Sequence, residues 1–241
     1  MDLEFRTLKA EEIDCRVSQI ASNWLTLLLY KDARVDMNIL DETVGAMNWQ
    51  KHYSRDNANC IISIWDNEKK QWIEKEDTGT ESFSEAEKGL ASDSAKRSGF
   101  CWGIGRELYT APSIFVLPRK DMIKKGKESE FYSKGNDKYE TKTKFYVEYI
   151  DYDDKRNIKN IIIRDNKNNI RFSQLTKEKE KELLDNQLKM KKLIELKEEK
   201  DNNFQRENLY KYFGVDIDSQ LTNKEVLEVI SMLSKKGKTN D

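Results

Sequence analysis

The residues best suited to chemistry lie between Ser82 and Tyr109, in SFSEAEKGLASDSAKRSGFCWGIGRELY. Read as one helix, Lys88, Ser92, Lys96, Gly99, Gly103 and Arg106 recur at steps of three and four and share a strip. Arg97 flanks it. Cations separated by small side chains let a polyanion come close to the helix backbone while ammonium and guanidinium groups reach its phosphates. Phe100, Trp102 and Tyr109 stand nearby, and Trp65 and Trp72 earlier in the chain. Single-stranded nucleic acid is often held by a basic groove with aromatic platforms, each stacked base contributing about 1–3 kcal/mol. The same spacing also describes a solvated charged helix whose aromatics belong to the core.

The helix that must carry these residues has two overlapping start signals. Ser82 with Glu85, and Ser84 with Glu87, both satisfy the capping-box pattern. Gly99, Gly103 and Gly105 are its anomaly. Each glycine inside a helix costs about 1 kcal/mol against alanine, so three within seven residues imply a break or a close approach of another backbone. Ala111-Pro112 stops the element.

Upstream, Ile13, Val17 and Ile20 recur at four and three, which predicts a helix over 8–20. LTLLLY, residues 25–30, suits a buried strand. Val35, Ile39, Leu40 and Val44 predict a helix over 33–44, ended by Gly45. Residues 49–53 read as a strand, and 60–65 and 71–73 as a hairpin around a polar turn. Downstream, 119–143 is polar and basic with no clean period, the pattern of a mobile loop or linker. Strands are expected over 144–152, 158–164 and 170–172. A Lys- and Glu-rich helix follows from Thr176 to about Phe204, with a narrow stripe of Leu183, Met190 and Ile194. A small two-helix module closes the chain, with Gly214 as a stop and Thr222 to Glu225 as another capping box.

Composition narrows the function classes. Of 241 residues, 36% are charged and 37% hydrophobic, so much of the chain must be solvated. The net charge of −1 hides an asymmetry: 14 Lys and Arg against 20 Asp and Glu over 1–118, then 29 against 24 over 119–241. A nucleic-acid site must therefore be a local patch. Cys15, Cys60 and Cys101 are far apart and show no CxxC spacing, which points to a reducing compartment and away from zinc. His52 is the only histidine, which argues against a histidine-dependent metal centre or a Ser-His-Asp triad. The charged N-terminus has no apolar signal core, and no apolar run approaches a membrane span. These features together predict a soluble intracellular protein.

The stretch EKGLASDSAKRSGFCWGIGRELYTAP resembles the Rad-fifty-two-like superfamily of single-strand annealing proteins, above all its phage and prophage members. LLLYKDARVDMNILDETVGAMNWQKHY is similar to the family's strand, helix and Gly-x-x-Asn-Trp turn. The likeness covers about residues 8–118. It implies an α+β fold with a β-β-β-α annealing core, an antiparallel sheet packed on a long helix. The expected organisation is that core over 1–118, a basic loop and β-meander extension over 119–174, and a charged helix with a two-helix module over 175–241.

The implied function is single-stranded DNA binding and ATP-independent annealing in phage-type recombination and repair. The protein would act as a ring or helical homo-oligomer in the cytoplasm of a bacterial host, with no cofactor and no enzymatic activity. Lys96 and Arg97 match the family's phosphate-contacting pair. Arg16, in Ile-Asp-Cys-Arg-Val, looks like the arginine the family brings from the segment before its first core strand; on a helix it would instead pair with Glu12 one turn away. Lys88 and Arg106 are further DNA-binding candidates, or else solvated or intersubunit charges. Where eukaryotic members carry another basic residue, this chain has Phe100, which either packs in the core or stacks on a base. On this reading the glycines thin a helix face for a DNA strand or a neighbouring subunit.

By analogy with how annealing proteins are organised, the C-terminal module is expected to be a tethered unit that recruits a single-strand-binding protein or a phage exonuclease. Two other functions compete. One is a passive single-strand-binding scaffold. The other is a metal-dependent nuclease using Asp41, Glu68 and Lys70, although Glu68 and Lys70 fall in the expected hairpin turn.

Overall fold

The computed structural model describes residues 3–80, 86–119, 130–136 and 138–234. It is α+β with antiparallel sheets, and none of the described helices is long and apolar enough to cross a membrane. The chain forms two compact units. The first comprises the segment up to Ile20, Leu25–Phe115 and Tyr152–Ile158. The second takes Ala21–Trp24, Val116–Asp151 and the chain from Lys159 onward.

In the first unit, strand β1 (Ile13–Ile20) pairs antiparallel with β2 (Leu25–Lys31), Ile13 facing Lys31 and Ile20 facing Leu25. This corrects the helix expected over 8–20: only a single 3-10 turn, Ala10–Glu12, precedes the strand. Ile13, Val17 and Ile20 fit a helical period, but β2 presents Leu25, Leu27, Leu29 and Lys31 to one buried face. A strand beside it satisfies its backbone groups and sets Ile13, opposite Lys31, on the same buried face.

Helix α1 (Ala33–Val44) starts at Asp32, whose carboxylate accepts the Arg34 N–H at 2.8 Å, and stops at Gly45 with φ +84°. Strands β3 (Trp49–Ser54), β4 (Asn59–Asp66) and β5 (Gln71–Thr78) form a three-stranded antiparallel meander. Helix α2 (Ala86–Trp102) packs on β4 and β5. A buried Glu107, in the 3-10 turn after α2, ties the N-terminal segment down. Its carboxylate accepts from Leu8 N–H at 2.7 Å and pairs with Arg156 at 3.3 Å. Residue 81–85 and hence both expected capping boxes, at Ser82 and Ser84, lie outside the described residues.

In the second unit, β6 (Ile114–Val116) marks the boundary, and a small hairpin, β7 (Tyr132–Gly135) with β8 (Lys138–Glu140), occupies part of the stretch expected to be a loop. The rest of that stretch, 120–129, lies outside the described residues. Strands β9 (Phe145–Tyr152), β10 (Ile158–Asp165) and β11 (Ile170–Gln174) lie in the order β11-β10-β9. Helix α3 (Lys177–Lys200), capped by Thr176, joins α4 (Arg206–Phe213) and α5 (Asn223–Ser234) in one apolar cluster built from Met190, Ile194, Leu209, Val226, Val229 and Ile230.

The terminal module is held by more than its tether. Buried Arg164 on β10 pairs with Glu148 on β9 and donates to the carbonyls of Ser219 at 3.1 Å and Leu221 at 3.0 Å. Glu148 in turn accepts the Asn223 N–H at 2.6 Å. These bonds fix the turn before α5 to the sheet, in place of the free tether expected from the charged composition of α3.

Candidate nucleic-acid interface

Helix α2 approaches the sheet on small residues. Ser94, Ala95, Ser98 and Gly99 are buried. Ser98 Oγ accepts from Ile62 N–H at 3.2 Å and donates to the Lys75 carbonyl at 2.9 Å, and these two residues face each other across β4 and β5. Ser94 Oγ donates to the Asn57 carbonyl at 3.1 Å. After β5 the backbone at Gly79 presses on α2 so closely that a Cβ there would meet Ser94 N at 2.5 Å. The close contacts of α2 are thus made to its own sheet.

The glycines have an intramolecular use as well. A Cβ on Gly99 would lie 2.8 Å from Asp36 Oδ1, and one on Gly105 would lie 2.5 Å from Lys31 Cε. The two positions clear space for a Lys31–Asp36 ion pair whose side chains are 0% and 3% exposed. Gly103 has nothing within 4 Å of its would-be Cβ and serves the turn that ends α2, with φ +98°. The expected DNA or subunit contact at these glycines is therefore corrected at Gly99 and Gly105: the structure fills both sites from within.

The Lys31–Asp36 pair also pins the exit of α2. Lys31 Nζ reaches the Lys96 carbonyl at 3.4 Å and stands 4.4 Å from the centre of the Phe100 ring. Burial pushes the Asp36 carboxyl up to about 6 against the pull of Lys31, and burial likewise holds Lys31 below the usual lysine range. Asp36 Oδ2 is buried with no hydrogen-bond partner among the described residues. Both directions say that desolvation outweighs the attraction within the pair.

Lys96 and Arg97, adjacent in sequence, leave α2 about 100° apart and meet different neighbours. Lys96 lies toward α1, where its charge favours the ionised forms of Asp32 and Asp36. Arg97 lies toward β5, with Nε 3.5 Å from Asp77 Oδ1 and side chains 43% and 31% exposed. Asp93, one turn before Arg97 on α2, accepts the Thr80 N–H at 2.9 Å.

Arg16 is exposed on β1, opposite Leu28, with its guanidinium 5.9 Å from the Tyr30 ring centre. It is on a strand, so a helical pair with Glu12 does not form; Glu12 pairs with Arg6 at 2.7 Å. Tyr30 feels the charges of both Arg16 and Asp32, and Asp32 feels Lys96. The fold thus brings Arg16 and Tyr30 together on the exposed face of β1 and β2, opposite the buried Lys31.

Phe100 is half-buried, packed edge-to-face on Tyr109 with ring centres 5.1 Å apart. Its ring packs against Lys31 and Tyr109. Arg106 leaves the expected strip, because α2 ends at Trp102. Its guanidinium caps the helix, donating to the carbonyls of Phe100 at 2.5 Å and Cys101 at 2.7 Å. Lys88 belongs to the first turn of α2, whose side chains lie outside the described residues.

Sequence reasoning missed Lys31 and Lys75. Lys31 continues the inward alternation Leu25, Leu27, Leu29, so its burial was readable from the period of two. Lys75 Nζ donates to the Cys101 carbonyl at 3.0 Å and lies 4.4 Å from the Trp102 ring centre. Of the nuclease candidates, Asp41 accepts the Trp49 indole N–H at 2.7 Å, while Glu68 and Lys70 lie in the β4–β5 turn. Among the described residues no group of three or more His, Cys, Asp or Glu could hold a metal ion.

Comparison with protein-family models, with curated proteins and with solved structures finds no match to this chain.

Proposed function

We propose that the protein binds single-stranded DNA and anneals complementary strands without consuming a nucleotide, acting as a ring or helical oligomer in phage-type recombination. One observation carries the reading. The small-residue face of α2 is buried on β4 and β5, which leaves Lys96 and Arg97 half-exposed on the outer flanks of a β-β-β-α unit. The sequence resemblance implies phosphate contacts for this Lys-Arg pair on the long helix. Arg16 and Tyr30, together on the exposed face of β1 and β2, offer a further cation and an aromatic ring.

The mechanism is electrostatic capture of the backbone, immobilisation of the strand with its bases accessible, and release once a duplex forms. The assay is annealing of two complementary labelled oligonucleotides without nucleotide or metal. Acceleration over the protein-free rate, lost in Lys96→Ala with Arg97→Ala while circular dichroism and oligomeric state stay unchanged, is the expected result. Asp77→Asn is the control, since it removes the Arg97 partner and keeps both cations. Binding without acceleration would make the protein a passive binder, and degradation on adding magnesium would make it a nuclease.

A further inference from the structure

A cleft of about 300 Å³ opens in the first unit where α1 and α2 both end. Its floor is the cross-strand pair Ile64 and Ile73. Val44, the last residue of α1, and Trp102, the last of α2, wall it in, with Trp65 and Lys75 completing the lining. The volume is at the small end of the range for ligand sites, about 300–1,000 Å³.

The aromatic wall is held in place. Trp102 Nε1 donates to the Ile62 carbonyl at 2.9 Å. A ligand that packs on such a fixed ring spends little entropy on ordering it. Lys75 is set against Trp102 by the Cys101 carbonyl, and an ammonium has three N–H donors to offer. Lys69 at the rim is 63% exposed, 3.6 Å from the Asp66 carboxylate that also lines the cleft, and adds a second cation. An apolar floor, the fixed Trp102 wall and two cations suit a flat heteroaromatic group that carries an anion.

We propose that this cleft binds one unpaired nucleotide, its base against the Trp102 wall and its phosphate on Lys75 and Lys69. The nucleotide is either free or part of a single strand. A strand source rests on the annealing reading, and the geometry suits it: Lys75 and Asp77 lie two apart on the same face of β5, so the cleft begins about 7 Å along the strand from the Arg97 contact. A base pair is too large for the space, so occupancy would favour single strands over duplex.

The test is photocrosslinking of the full-length protein with 5-iodo-deoxyuridine, supplied as the free 5′-monophosphate or within a single-stranded oligonucleotide, and mapping by peptide mass spectrometry. Crosslinks at Trp102 from the oligonucleotide alone assign a strand-borne nucleotide; from the monophosphate alone, a free one; from both, either source. Lys75→Gln and the exposed Lys69→Gln should each lower the yield, Lys75→Gln by at least about tenfold, with circular dichroism unchanged. Val44→Phe, which fills the cleft, should abolish it. Crosslinks from the oligonucleotide only elsewhere, such as near Lys96, would overturn the cleft and leave DNA binding standing. No crosslink from either probe together with no annealing would remove both.

Discussion

Replacing Lys31 by methionine removes the cation from a pair the fold has sealed from water. The partner, Asp36, is 2% exposed and walled by Gly99, so water cannot reach it without moving α2. Breaking a buried pair from one side costs about 3–5 kcal/mol, because the remaining charge stays uncompensated. Methionine keeps most of the Lys31 stem and its packing near Gly105, so the loss is electrostatic rather than a cavity. The penalty should depend on pH in a set direction. Asp36 titrates at about 6 in the fold against 3.8 unfolded, so the native state holds the extra proton between those values. Stability from this group is therefore lost as pH rises through that window and regained as pH falls. Without Lys31 the folded value rises further, which extends the window upward. Urea unfolding followed by tryptophan fluorescence should show Lys31→Met most destabilised near pH 8 and least near pH 5. Adding Asp36→Asn should recover more than half of the loss. A single variant within about 1 kcal/mol of wild type at pH 8, or a pH trend of the opposite sign, would refute the reasoning.

Gly99→Ala sets two effects against each other: a gain of about 1 kcal/mol in helix propensity and an overpacking cost of about 1–3 kcal/mol against Asp36, which cannot retreat. Net destabilisation in the same unfolding assay is expected; a stabilised variant would show that the close approach is not real. Arg164→Met leaves Glu148 without its cation and two turn carbonyls without their donor, and should cost about 3–5 kcal/mol. Limited proteolysis should then cut between Gly214 and Thr222, and resistance equal to wild type would mean the module docks by its apolar cluster alone. For single-stranded DNA, the slope of log affinity against log salt should fall by about 0.7 in magnitude when Lys96 is replaced by alanine, with no change for Arg106→Ala. An equal loss at Arg106 would place its guanidinium on phosphate instead of on the end of α2.

Much of the local structure can be read from the sequence. The alternation of residues 25–31 specifies a strand buried on one face. The polar run from Asp66 to Lys70 between two β-rich segments specifies a hairpin. Gly45, Gly214 and the pair Thr222 and Glu225 specify where helices stop and start, because their backbone angles and capping bonds are local. Lys96 and Arg97 stand out as cations on a helix with one face of small residues.

Other features were decided only when the chain folded. Ile13, Val17 and Ile20 suit a helix as well as a strand, and only hydrogen bonding to β2 chooses between them. Gly99 and Gly105 announce a close approach without saying of what, since the atoms that fill the space, on Asp36 and Lys31, come from other elements. The contact of Arg16 with Tyr30 depends on the pairing of β1 with β2, and the surroundings of Lys96 and Arg97 on which elements pack on α2. Period and capping are properties of a few consecutive residues, so the sequence by itself determined them. Contacts between residues far apart in the chain exist only once a core has brought the elements together, and the tertiary structure alone decided those.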